Sequence, residues 1–249
     1  HMEILNQSAF LNVMESHEAL AIWFINDTMN MGKYRLKNYA VKPFWEWVST
    51  WAVCLSRPSD LGYEDGDFLL PKLNIIEDIL PVNEIEFDLE TGCFLRDISL
   101  NATGLHGEKR KTAKDRALKS AEIAKGINEQ VLIWCDTNYE ADLLKRFIPE
   151  ATEIRGSDSP DKKEKAAMDF IDNNIRILIS KPTIFGYGLN FQNCNNAIFC
   201  GLSYSYEGYY QAIRRLWRFG QKKPVNIHVV LGQTEKAILD VVKRKEAEH

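Results

Sequence analysis

The chain has 249 residues and a mass of 28.7 kDa, with 31 basic and 35 acidic residues that give a formal net charge of −4. An apolar content of 45% is enough to fill a core, which excludes wholesale disorder and collagen-like structure. The longest apolar stretches fall far short of the ~20 residues that a bilayer crossing needs, and no signal peptide opens the chain. We therefore expect a soluble cytoplasmic protein with no membrane partner.

The first 57 residues are predicted to be mostly helical. Apolar residues recur at helical spacing over 12–25, and three tryptophans fall within 44–55, where we assign them to core packing. An acidic stretch follows over 59–97, with 11 acidic and 2 basic residues and strand candidates at 68–70 and 93–98. A charged helix is predicted over 113–127. Its basic side chains fit either a polyanion-binding surface or an ordinary solvated helix face.

From residue 130 onward, apolar strands alternate with helices. The predicted strands are 131–135, 152–154, 175–179, 197–200 and 226–231, and the predicted helices are 139–147, 160–171, 206–219 and 234–247. This alternation indicates an α/β fold with a parallel sheet covered by helices on both faces, whose ligands lie at the carboxyl ends of the strands. We divide the chain into residues 3–127 and 128–249.

The five cysteines are scattered and odd in number, with no CxxC pair and no histidine at ligand spacing. A disulfide framework and a structural zinc site are therefore not expected, and we predict no metal ligands.

Five basic residues and no acid lie between 211 and 223. On a helix, Gln211, Arg214, Arg215 and Arg218 are three or four residues apart and share one face. Arginine offers a planar fork of donors with a permanent charge, which suits a phosphate or a transferring phosphoryl group. Taken alone, the same pattern also fits a solvated basic helix end that is favoured by the helix dipole.

The order and spacing of two segments, 177–192 (ILISKPTIFGYGLNFQ) and 211–221 (QAIRRLWRFGQ), resemble motifs V and VI of superfamily 2 helicases. The segments are most similar to the SWI/SNF-type branch and, within it, to phage- and prophage-encoded helicase-like proteins. Residues 131–144 look like motif IV, and 50–62 and 101–116 are similar to segments of the phage subgroup. The resemblance implies that 128–249 is a complete second RecA-like lobe and that 3–127 is the end of the first lobe with the interlobe region.

The resemblance also implies roles at single positions on the nucleotide side. Arg215 and Arg218 would be arginine fingers that reach ATP bound on the other lobe, and Gln211 would help to organise the cleft between the lobes. Gly188 and Asn190 would couple the nucleotide state to the grip on DNA, and Arg214 is placed with them at the nucleotide. The sequence departs from the family at Arg214, where a small or acidic residue is common, and at Trp217, where histidine is common.

On the nucleic-acid side, the resemblance assigns Ser180 and Lys181, with Gly156 and Ser157, to the phosphates of one DNA strand. Backbone amides and loop side chains at such positions bind phosphate without reading sequence. The implied partner is DNA, with duplex favoured.

The sequence contains neither a G-x-x-x-x-G-K-[ST] loop nor an acidic Mg²⁺-binding box. We therefore expect a C-terminal fragment of a DNA-dependent ATPase, with ATP and Mg²⁺ held by a missing N-terminal lobe and little activity in the fragment alone. The alternative is a standalone nucleic-acid- or protein-binding module without ATPase activity. A metabolic α/β enzyme is disfavoured, because neither a GxGxxG nor a GxSxG motif occurs.

Overall fold

The structure is a computed structural model that describes residues 3–26, 34–55, 57–81, 102–185, 189–203, 205–236 and 239–240. The chain divides into two compact units, His1–Asp65 and Gly66–His249. None of the helices in these ranges combines the length and the apolar character that a membrane crossing demands.

The first unit is mostly helical, as predicted, and also holds a short antiparallel hairpin. Its elements are α1 (Glu3–Phe10), α2 (Ser16–Trp23), β1 (Phe24–Asn26), β2 (Tyr34–Leu36) and α3 (Val41–Ser49), with 3-10 turns at Asn38–Ala40 and Pro58–Leu61. Two of the three tryptophans within 44–55 pack as predicted: Trp47 stacks on Trp23 at 4.4 Å between centroids, and Trp51 lies against the same core. The prediction is wrong for Trp45, which is 43% exposed. Two predicted helices end earlier than expected, because β1 begins at Phe24 and α3 ends at Ser49.

The second unit is a six-stranded sheet flanked by helices. Its elements are β3 (Leu73–Leu80), α4 (Ala102–Gly126), β4 (Val131–Cys135), α5 (Asn138–Phe147), β5 (Thr152–Glu153), α6 (Pro160–Ile171), β6 (Ile177–Ser180), α7 (Pro182–Phe185), β7 (Asn196–Cys200), α8 (Tyr206–Ile213) and β8 (Val225–Gly232). The strand order is β3-β8-β7-β4-β6-β5, and every pair of neighbours is parallel. The predicted α/β architecture is therefore confirmed.

The central strands explain the stability of this sheet. Every residue of β4, β6 and β7 is buried, so their side chains fill a core on each face. One core contains Trp134, Phe170 and Phe199, and the other contains Ile133, Leu144 and Ile198. Strands buried on both faces are typical of parallel sheets, which explains why their apolar runs were recognisable in the sequence.

Side-chain caps fix where three helices begin. The Thr137 hydroxyl accepts from the backbone N–H of Glu140, Ser159 caps α6 in the same way, and Ser205 accepts from the N–H of Gly208 at the start of α8. Each cap satisfies a helix N–H that would otherwise have no partner.

The structure differs from the sequence prediction before residue 128. Phe68 lies in a 3-10 turn rather than a strand, and the strand in this region is β3, which pairs with β8. The candidate at 93–98 lies outside the described residues. The predicted boundary at 127/128 does not coincide with the one at Asp65, because β3 and α4 pack onto the sheet of the second unit. The assignment of 3–127 to a first lobe and interlobe region stays a prediction.

Candidate nucleic-acid and nucleotide site

A cleft lies at the carboxyl edge of the sheet, where the parallel strands end together. Asp136 follows β4, Lys181 follows β6, Ser203 follows β7, and the first turn of α8 closes the far side. The lining residues that can bind a ligand through polar atoms are Asp136, Lys181, Thr183, Ser203, Ser205 and Gln211. A neighbouring pocket at the same edge is lined by Trp134, whose indole N–H is buried without a partner among the described residues.

The four residues predicted to contact DNA phosphates fall in different environments. Lys181 lines the cleft. The hydroxyl of Ser180 points into the core and donates to the carbonyl of Ile154 at 3.2 Å, so it is not presented to a ligand. Gly156 and Ser157 are exposed in the turn after β5, at the same edge of the sheet but outside the lining of the cleft.

Gln211 lies with Lys181 in this cleft. The Nε2 of Gln211 donates to the Oε1 of Glu207 at 2.9 Å, one turn earlier on α8. The Oε1 of Gln211 is a buried acceptor that has no partner among the described residues. Gln211 therefore lies beside Lys181, the residue predicted to bind the phosphate backbone, and its role in organising the cleft between the lobes stays a prediction.

The predicted helix over 206–219 is wrong in its second half, because α8 ends at Ile213 and the arginines occupy a series of turns. Gln221 holds these turns. Its Nε2 donates to the carbonyls of Gln192, Cys194 and Leu216 at 3.0–3.3 Å, and its Oε1 accepts from the backbone N–H groups of Lys222 and Lys223. Gly220 completes the turn with φ of +92°, a conformation that L side chains rarely adopt.

Arg215 and Arg218 meet the segment that follows the Gly-rich turn. The Nη1 of Arg215 donates to the carbonyl of Leu189 at 3.0 Å, and the Nη1 of Arg218 donates to the Oδ1 of Asn190. The backbone is linked as well, since the N–H of Phe191 donates to the carbonyl of Arg215 at 2.9 Å. Arg215, Arg218 and Asn190, which were predicted to lie on the nucleotide side, are therefore neighbours. Gly188 lies outside the described residues.

Arg214 does not join this group. Its guanidinium lies over the rings of Tyr210 and Trp217, at 5.8 and 5.2 Å from their centroids. Trp217 is itself fixed, because its indole N–H donates to the carbonyl of Pro71 at 2.7 Å. The two positions at which the sequence departs from the helicase pattern that it resembles thus contact each other.

A buried ion cluster beside the cleft was missed in the sequence. Arg116 on α4 donates through Nη1 to Oε1 of Glu140 at 2.7 Å and to the carbonyl of Cys200 at 3.0 Å, and its Nε lies 3.0 Å from Oε2 of Glu235. All three charged side chains are at most 1% exposed. Burial alone would lower the pKa of Arg116, but the two carboxylates raise it above its ordinary value, so the guanidinium stays charged.

The spacing of small residues could have indicated that Arg116 is buried. Ala113, Ala117, Ala121 and Ala124 recur every three or four residues and are buried, so they mark the face of α4 that packs on the sheet. Arg116 lies on this face, and the interpretation of the basic block as a solvated surface is wrong for it. Gly201 leaves room for the guanidinium, since an added Cβ would lie 2.2 Å from Nη1 of Arg116.

Three cysteines among the described residues of this unit, Cys135, Cys194 and Cys200, are buried. Burial raises the pKa of Cys194 and of Cys200 to about 12 and raises that of Cys135 well above its ordinary value. Within the described ranges, no three His, Cys, Asp or Glu side chains converge in a way that could hold a metal ion.

Part of this chain is similar in sequence to known proteins. Residues 113–220 match the helicase conserved C-terminal domain. The chain is 30% identical over 163 residues to the TATA-binding protein-associated factor mot1 of Schizosaccharomyces pombe, covering 61% of this chain and 8% of that protein. It is 32% identical over 96 residues to the bifunctional helicase and thymine dioxygenase JBP2 of Leishmania braziliensis, covering 38% of this chain and 9% of that protein.

Among solved structures, the C-terminal part of the Fun30 ATPase domain superposes with a TM-score of 0.46 at 27% identity, covering 52% of this chain and 44% of that chain. The chain spans less than a tenth of the length of the two curated relatives. The sequence matches support a superfamily 2 helicase-like assignment for the part of the second unit that they cover.

Proposed function

We propose that this chain, with its helicase C-terminal domain match over 113–220, is the second RecA-like lobe of an ATP-dependent DNA translocase of the SWI/SNF type. ATP and Mg²⁺ would be bound by a first lobe outside this chain. Arg215 and Arg218 would reach the phosphates across the interface between the lobes, and the cleft around Lys181 would bind one strand through its phosphates. Membership of the phage-associated subgroup is part of the same proposal.

The joint anchoring of Arg215 and Arg218 on the 189–190 segment carries the proposal. A guanidinium that stabilises charge on a transferring phosphoryl group must be held in place before the reaction, and these two are held by a carbonyl and a side-chain amide. The acceptor of Arg218 is a neutral side-chain amide, so this hydrogen bond does not compensate the charge of the guanidinium. A triphosphate could therefore compete for the Arg218 donor.

The nucleic-acid side is supported by the position and composition of the cleft. It lies at the carboxyl edge of a parallel sheet, where such folds bind ligands, and it combines an ammonium group, three hydroxyls and the first turn of α8 with the carboxylate of Asp136 and the amide of Gln211. The ammonium group and the hydroxyls suit a phosphodiester, and contacts to phosphate carry no sequence information.

The experiment is ATP hydrolysis by a protein that joins this chain to the proposed first lobe, measured without nucleic acid and with single-stranded or duplex DNA. Turnover stimulated by duplex is the expected result. Stimulation by single strands alone would contradict the duplex assignment. An absence of turnover with an intact P-loop present would instead favour the standalone binding module.

A further inference from the structure

We propose that Lys109 determines whether the cleft accepts a phosphate backbone, because it neutralises Asp136, the carboxylate that lines the cleft. This inference rests on the proposed function, since it concerns how the same cleft binds nucleic acid. Lys109 acts through Asp136 and is a specificity-determining residue that does not itself line the cleft.

Asp136 is a poor residue for a phosphate site unless its charge is compensated. Among the described residues that line the cleft, Asp136 and Lys181 are the two charged ones, so they bring one negative and one positive charge to the ligand. A carboxylate repels a phosphodiester at short range, and the repulsion is strongest where water is partly excluded. Without a further cation, the cleft would therefore have little attraction for a polyanion.

Lys109 supplies that cation from beneath the cleft. Its Nζ lies 2.7 Å from Oδ2 of Asp136, and its side chain is 9% exposed whereas that of Asp136 is 34% exposed. The ammonium group thus faces the carboxylate from the protein interior, while the carboxylate faces the ligand. With Lys109 included, the charge of the cleft changes from zero to +1.

The buried ion cluster fixes both members of this pair. The Nη2 of Arg116 donates to the carbonyl of Lys109 at 2.7 Å, and the Oε2 of Glu140 accepts from the backbone N–H of Asp136 at 2.9 Å. Arg116 and Glu140 are themselves joined by a 2.7 Å ion pair. One buried pair therefore sets the position of the two backbone segments that carry Lys109 and Asp136, which gives the cluster a role in binding beyond stability.

The test is the affinity of the 249-residue chain for a fluorescein-labelled duplex of arbitrary sequence, measured by anisotropy over a range of salt concentrations. Lys109→Met should weaken binding about fivefold at moderate salt, because it leaves the charge of Asp136 uncompensated beside the ligand, and the loss should shrink at high salt, where the repulsion is screened. Lys114→Met, which removes an exposed charge from the same helix, is the matched control and should change little.

The double variant Lys109→Met/Asp136→Asn separates neutralisation from other roles. If Lys109 acts by compensating Asp136, the double variant should recover the wild-type affinity to within about a factor of two, although both side chains are altered. Thermal unfolding of each variant is measured in parallel, because a loss of folded protein lowers the active fraction but leaves the salt dependence of the affinity unchanged.

An unchanged affinity of Lys109→Met would overturn the inference. So would a double variant that binds as weakly as the single one, since Lys109 would then contact DNA directly or act only on folding. If the wild-type chain shows no salt-dependent binding to either duplex or single strands, the proposed nucleic-acid function fails together with this inference. Wild-type binding without an effect of Lys109 overturns this inference alone.

Discussion

Arg116 on α4 donates to Oε1 of Glu140 at the start of α5 over 2.7 Å, and neither side chain is more than 1% exposed. The same guanidinium contacts Oε2 of Glu235 beyond β8 and the carbonyl at the end of β7. Arg116 thereby connects α4 to the carboxyl edge of the sheet at three places. A charge cluster that is completely buried is sensitive to the loss of a single member, because the remaining charges have no solvent to compensate them.

Replacement of this arginine should therefore destabilise the second unit. Arg116→Met leaves two buried carboxylates without their cation, and we expect the free energy of unfolding to fall by about 3–5 kcal/mol. Denaturant unfolding followed by circular dichroism measures the change. Lys114→Met on the exposed side of the same helix should cost less than about 0.5 kcal/mol. Equal effects of the two substitutions would contradict the described burial.

Gly201 offers a second test of the cluster from the opposite side. Its φ is +89°, and an added Cβ would lie 2.2 Å from Nη1 of Arg116, so Gly201→Ala combines backbone strain with a displaced guanidinium. We expect a loss of at least about 2 kcal/mol in unfolding free energy. The control is Gly156→Ala, where the added methyl group meets nothing within 4 Å. A neutral Gly201→Ala would show that the turn or the arginine is placed differently.

Gln221 permits a nearly isosteric test of the arginine turn. In Gln221→Glu, an oxygen replaces the Nε2 that donates hydrogen bonds to three backbone carbonyls. The carboxylate oxygen would repel these carbonyl oxygens. A loss of about 1–3 kcal/mol is expected from acceptors that are left unpaired. Gln192→Glu changes an exposed amide in the facing loop and should be nearly neutral. Comparable melting temperatures for both variants and the wild type would argue against the turn described above.

The buried thiols give a prediction that depends on pH. Because burial penalises the thiolate and raises the pKa of Cys194 and Cys200 to about 12, both stay protonated at pH 8. Cys54 is exposed. Iodoacetamide at pH 8 should modify Cys54 in the native chain and reach Cys135, Cys194 and Cys200 only after denaturation, as read by peptide mass spectrometry. Rapid native labelling of Cys194 would contradict its burial.

Much of the second unit could be predicted from the sequence, and the exceptions have physical reasons. Strands β4, β6 and β7 were recognisable because burial on both faces gives continuous apolar runs. Strand β3 was missed, since it lies at the edge of the sheet and carries Glu77 and Asp78 within an acidic stretch.

The candidate site was predictable in its residues and less so in its geometry. The arginines and the Gly-rich turn were found from their order and spacing. The end of α8 at Ile213 was not, because it depends on hydrogen bonds between Gln221 and carbonyls as distant in sequence as Gln192. The Arg116 cluster joins three segments that are separated along the chain, so single-sequence periodicity indicates a buried face of α4 without identifying its partners.

The measurement that tests the account most directly is ATP turnover after Arg218→Ala in a protein that carries this chain together with the proposed first lobe. Removal of an arginine finger costs roughly 10³–10⁵ in rate in related phosphoryl-transfer systems. We predict a loss of DNA-stimulated hydrolysis on that scale with nucleotide binding largely retained, and nearly normal turnover for the control Arg110→Ala on α4. Turnover by Arg218→Ala close to that of the wild type would contradict the assignment of this residue to the transferring phosphate.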